Sequence, residues 1–171
     1  MKNRKTIITS FLLLAGLTLG VGYAAISNTL TVTGAVNLGT DEKNFSVVFD
    51  SVEQDANEVK RWTATINENT INSTLTVNAN ALDTKGDTID VDYTIRNLSR
   101  ANDLIASLGE ITVTNTNTAW YTVEAGWVDS SVTELAYNET AVFNVKITLV
   151  NTPTESISGL DFFVSFTATA K

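Results

Sequence analysis

Asp83, Asp87, Asp90 and Asp92 cluster around Gly86, and an oxygen-rich loop of this kind can hold calcium. Their spacing does not follow the helix-loop-helix calcium motif. The simpler expectation is that Asp83-Thr-Lys-Gly-Asp87 makes a turn, with Asp90 and Asp92 on the polar face of a strand whose other face is Ile89, Val91, Tyr93 and Ile95. The 19 Asp and Glu residues offer many carboxylate pairs for glycoside chemistry, but nothing singles out one pair or walls a groove with aromatic rings. Trp120, Tyr121 and Trp127 lie in a segment, Ala119 to Trp127, that reads as a hairpin exposing one or two rings, a possible surface contact for a glycan or another partner. Trp62 sits in an alternating stretch and reads as core. The triplets Asn72-Ser-Thr74, Asn97-Leu-Ser99 and Asn138-Glu-Thr140 fit the N-glycosylation pattern, which an Asn- and Thr-rich chain also produces by chance.

The chain has 171 residues with no Cys and no His. That removes thiol nucleophiles, imidazole bases, disulfides, lipid attachment through Cys and the usual zinc and haem ligands. No Ser sits in a Gly-flanked elbow and no Ser-x-x-Lys occurs, so serine catalysis has no positive signal either. The expectation is a protein that is not an enzyme and uses no cofactor.

The N-terminus points to export. Lys2, Arg4 and Lys5 precede an uncharged run from Thr6 to Ile26, the layout of a secretory signal with Gly22-Tyr-Ala24 as its small-residue cleavage site. Cleavage after Ala24 is expected; a cut after Ala25 would put bulky Tyr23 three residues upstream. The alternative is an uncleaved anchor, because the run is about as long as a bilayer-spanning helix of roughly 20 residues. Gly16, Gly20 and Gly22 weaken such a helix near its end. Cleavage removes three of 11 cations and none of 19 carboxylates, taking the formal charge from −8 to −11. Nucleic acid and anionic lipid are poor partners for such a surface, so a membrane is engaged only through an uncleaved signal. No Leu-Pro sorting signal follows, and attachment to a cell is expected to be non-covalent.

Beyond the signal, apolar residues alternate: Phe45-Val47-Phe49, Trp62-Ala64-Ile66, Ile71 to Val77, Ile89 to Ile95, Ile111-Val113, Val142 to Leu149 and Leu160 to Ala168. Period two means strands, and eight or nine short ones separated by Asn, Asp, Gly and Ser predict an all-β sandwich. Ser99 to Gly109, with a Ser cap and Ala101, Leu104, Ile105 and Leu108 at helical spacing, predicts one or two helical turns. Ser131 to Tyr137 reads as a weak helix or a loop. The domain plan is a signal at 1–24, an N-terminal strand at 25–36 and a sandwich at 37–171.

That N-terminal strand carries the functional content. Ala25 to Gly34 is uncharged and alternating, and a terminal strand can pair within its own sheet or enter a neighbouring subunit. In the second case Ile26, Leu30, Val32 and Val36 would fill the neighbour's groove, and the non-closing contact would build a filament. Gly22-Tyr-Ala-Ala25 followed by Leu30-Thr-Val-Thr-Gly34 resembles the secreted matrix-fibre family of Gram-positive bacteria that includes TasA and camelysin. Asn44 to Phe49, Gly86-Asp-Thr88 leading into Val91 to Asn97, Asn138-Glu-Thr140 leading into Val145 to Leu149, and Phe162 to Ala168 follow the family's strand order. The resemblance implies a jelly-roll subunit, cut by a signal peptidase, located in the extracellular matrix or on the cell surface, and partnered by itself or a homologous subunit. It does not extend to the metalloprotease activity described for camelysin, because a His-Glu-x-x-His site needs histidines.

Overall fold

Alternation is strongest in two strands of ten residues. In β6 (Thr88–Asn97) Ile89, Val91, Tyr93, Ile95 and Asn97 are buried, and in β11 (Thr140–Leu149) Ala141, Phe143, Val145, Ile147 and Leu149 are. The two pair antiparallel over most of their length, Ile95 opposite Ala141 and Ile89 opposite Ile147. The computed structural model describes residues 28–33, 35–37, 45–53, 61–66, 72–77, 82–100, 104–115, 118–152 and 162–171. The other strands are β1 (Asn28–Thr33), β2 (Ala35–Asn37), β3 (Val47–Glu53), β4 (Trp62–Ile66), β5 (Asn72–Val77), β7 (Ala106–Leu108), β8 (Thr112–Asn115), β9 (Tyr121–Trp127), β10 (Glu134–Leu135), β12 (Phe162–Ser165) and β13 (Thr167–Ala170).

One layer of the resulting all-β sandwich is the antiparallel sheet β3-β6-β11-β9. The other is formed by β4-β5-β1-β12-β8 and β10-β7-β13-β2. These two sheets run into one another along the chain, since β1 leads into β2, β7 into β8 and β12 into β13. Gly109 lies at one of these bends. A Cβ there would run into Thr167 Oγ1, so glycine lets the two bending strands meet without displacing Thr167, and its N–H donates to Thr167 O at 2.8 Å. Between the layers Phe143 stacks on Tyr93 with ring centroids 5.2 Å apart, and Phe166 meets Phe143 and Trp127 from the opposite layer at 5.6 Å and 5.3 Å. The buried apolar residues form one cluster.

Among the described residues thirteen strands stand where eight or nine were expected, because three stretches bend between sheets; rejoining them and setting aside the two-residue β10 leaves nine. The expected helical turns are corrected: no helix occurs among the described residues, and Ala106–Leu108 pairs with β13 and β10. Residues 101–103 of that candidate lie outside the described residues, and Ser99 Oγ donates to Asn97 Oδ1 at 2.6 Å and accepts from Ser46 N at 3.1 Å, so tertiary partners engage the group that a helix cap would use. The segment from Ser131 to Tyr137 is a turn containing β10.

Candidate functional site

The N-terminal strand lies in the interior of its sheet. β1 pairs antiparallel with β5, Leu30 opposite Leu75 and Thr31 opposite Thr74, and parallel with β12, Val32 opposite Val164. β2 continues beside β13, with Val36 opposite Ala168. Of the predicted donor residues, Leu30 and Val32 are therefore in β1 and Val36 in β2, while Ile26 and the cleavage residues Ala24 and Ala25 fall outside the described residues. Lifting β1 away would open two strand edges, one on β5 and one on β12. Open edges leave rows of unpaired N–H and C=O groups on β5 and β12, a slot that a strand in the same register satisfies whichever chain supplies it.

One end of the sandwich, where β6 finishes, is tied by Asn97, which is wholly buried. Its Nδ2 donates to Leu135 O at 2.8 Å and Leu104 O at 3.0 Å, and its Oδ1 accepts from Ser99 N at 3.0 Å and Ser99 Oγ at 2.6 Å. Asn97 thus joins β6, β10 and the segment before β7, and Leu98 N adds the start of β3 by donating to Ser46 O at 2.8 Å. With both amide hydrogens used inside the protein, Asn97 is not an acceptor for a glycan in the folded chain. Asn138 is exposed in a left-handed turn, φ 66°, and its Oδ1 accepts from Arg96 Nη1 at 3.2 Å. Arg96 also grips Asp50 with two hydrogen bonds of 2.8 Å and 2.6 Å. The register shift between Phe49 and Ser51 leaves Asp50 outside the ladder with β6, aimed at that guanidinium, which holds the Asp50 carboxyl below the usual range.

The acidic turn is built as a turn. Gly86 has φ 95°, Asp87 Oδ2 accepts from Thr84 N at 2.8 Å and Asp83 N at 3.0 Å, and these backbone donors, Thr84 first, lower the Asp87 pKa. Asp90 and Asp92 lie farther along β6, where Asn144 Nδ2 donates to both, at 2.8 Å to Asp92. The four carboxylates are not brought together, and among the described residues no three acidic, His or Cys side chains converge on a point.

The aromatic segment differs from the hairpin expected. Tyr121 to Trp127 is one strand paired with β11, Tyr121 is buried against Phe162, and Trp127 packs edge-on against Phe143 and Phe166 while its Nε1 donates to Gly109 O at 3.1 Å. Trp120 is half-buried against the core. These rings hold the layers together and present no surface platform. The exposed aromatic rings among the described residues are instead Phe163 and Tyr137. Phe163 follows buried Phe162, so alternation alone signalled its outward position. The Asn97–Ser99 knot had no such signal, because its partners lie on three other segments.

Comparison with known protein families finds no family model that matches the chain, and comparison with curated proteins finds no match.

Proposed function

We propose that this protein is an exported structural subunit of extracellular fibres, assembled by inserting its N-terminal strand into a neighbouring copy or a homologous subunit. The observation that carries the reading is the position of β1, a strand near the chain start paired on both edges between β5 and β12. Such a strand can be replaced by the same segment of a second chain without changing any hydrogen bond of the slot, which is the logic of strand donation. Further support comes from the signal-like start, from the likeness of the signal-to-strand junction to the TasA and camelysin fibre proteins, and from the lack of His and Cys.

The pairing of β1 within its own chain favours a second reading, a self-completed monomer acting as a surface module. Electron microscopy of the protein starting at Ala25, at raised concentration, separates the two. Filaments are expected, and deletion of 25–36 is expected to abolish them. Filaments unchanged by the deletion would refute strand donation, and a wild-type protein that stays monomeric would favour the second reading.

A further inference from the structure

The two layers of the sandwich differ in charge. β3, β6, β9 and β11 carry Asp50, Glu53, Asp90, Asp92 and Glu124 against Arg96 and Lys146. The five strands β4, β5, β1, β12 and β8 contain no Asp, Glu, Lys or Arg at all. In a chain of net charge −8 this is a wide uncharged sheet. Its register aligns a row across all five strands: Thr65, Thr74, Thr31, Phe163, Thr114. Thr65 and Thr114 at its two ends are exposed, and the Phe163 ring is 49% exposed between them.

We propose that this row binds an uncharged, extended β-linked polysaccharide laid across the strands. Neighbouring strands are spaced about 4.8 Å apart, close to the advance per sugar of such a chain, so the row spans roughly 19 Å, four advances that seat one sugar on each of the five strands. Each strand then meets one ring. Phe163 offers an apolar face for the C–H side of one sugar, and the threonines at the ends supply hydroxyls to bond sugar hydroxyls and methyls to pack on the rings. The acidic opposite layer selects against anionic polymers, and the uncharged sheet has no ions to desolvate when a neutral chain settles on it. One ring and a few hydroxyls make a weak site, strengthened wherever many copies engage the same polymer.

The test is a sedimentation assay of the full protein with microcrystalline cellulose and with chitin powder. The variants are Phe163→Ala, Thr65→Lys and Thr114→Lys, with Glu124→Gln on the acidic layer as control. Retention on at least one powder is expected, falling tenfold or more in Phe163→Ala and severalfold in each Lys variant, with the control unchanged and all melting temperatures within a few degrees. The Lys variants sit on exposed edge-strand positions, so they report binding even if Phe163→Ala alters packing. No retention by either powder would overturn the proposal, as would equal retention of all variants. Phe163-dependent self-association in analytical ultracentrifugation without retention on polysaccharide would overturn it in favour of a second copy on this face. Fibre formation enters none of these outcomes.

Discussion

Asn97→Ala is the sharpest probe of how the sandwich end is closed. The substitution removes four hydrogen bonds, to Leu104 O, Leu135 O, Ser99 N and Ser99 Oγ, and three of them are fully buried. A buried polar group that loses its partner costs about 1–3 kcal/mol, and some of the four can rebond or reach water, so a loss of about 3–5 kcal/mol is expected. That is a large part of the roughly 5–15 kcal/mol that holds a domain of this size. Ser99→Ala removes the bonds to Ser46 N and Asn97 Oδ1 and should cost about 1–2 kcal/mol. Because the two residues share a bond, the double variant should lose less than the sum of the single losses. Urea unfolding followed by tryptophan fluorescence at pH 7 measures all three. A loss below about 1 kcal/mol for Asn97→Ala, or strict additivity with Ser99→Ala, would refute the reasoning.

Three further outcomes follow from the same structure. The Tyr93 hydroxyl is buried and has no partner in hydrogen-bonding geometry among the described residues, and burial pushes its phenol far above the ordinary range; Ser73, whose Oγ donates to Thr65 O at 3.2 Å, offsets only part of this. A raised folded pKa means stability held below about pH 10 and lost above it, so Tyr93→Phe should be neutral or slightly stabilising at pH 7 and should lessen the alkaline loss, read by melts at pH 7 and pH 11. Asp50 and Asp87 are depressed in the folded state, by Arg96 and by the Thr84 backbone N–H respectively, so their contribution is present above about pH 4 and lost as pH falls below it. Melting temperature should drop across that range, and Arg96→Ala should make the drop shallower; an unchanged profile would contradict the Asp50 assignment. On the proposed fibre reading, subunits cut after Ala24 carry a formal charge of −11 and repel one another, so added salt should speed filament growth measured by light scattering, and slowing by salt would count against assembly through strand pairing and apolar burial.

The strand pattern was legible because alternation reports which face of a residue is buried. Phe162, Val164, Phe166 and Ala168 all point inward as their spacing indicates, yet the chain changes sheet at Phe166. Burial is the same in either sheet, so the pattern records a face and not a pairing partner. The false helix has a related origin: Ala101, Leu104, Ile105 and Leu108 keep helical spacing, but Ala106–Leu108 gains more from β13 and β10 than an isolated short helix gains from propensity. The aromatic segment read as a hairpin over Ala119 to Trp127, whereas its residues from Tyr121 on form one strand in which Gly126 sits opposite Asn144. The turn at Gly86 was readable because its geometry is local. The N-terminal strand was readable as a strand, and its register between β5 and β12 was not, since both neighbours lie far along the chain.

The chain lacks cysteine, so a pair introduced at Thr31 and Thr74, register partners in β1 and β5, reports directly whose strand fills the slot. Opposed residues of antiparallel strands have Cα atoms about 4.5–5.5 Å apart, within disulfide reach. Oxidation of the assembled Thr31→Cys, Thr74→Cys protein, followed by denaturing electrophoresis without reductant, should give a ladder of covalent multimers that collapses to monomer on reduction. Filaments that yield only internally cross-linked monomers would contradict strand donation.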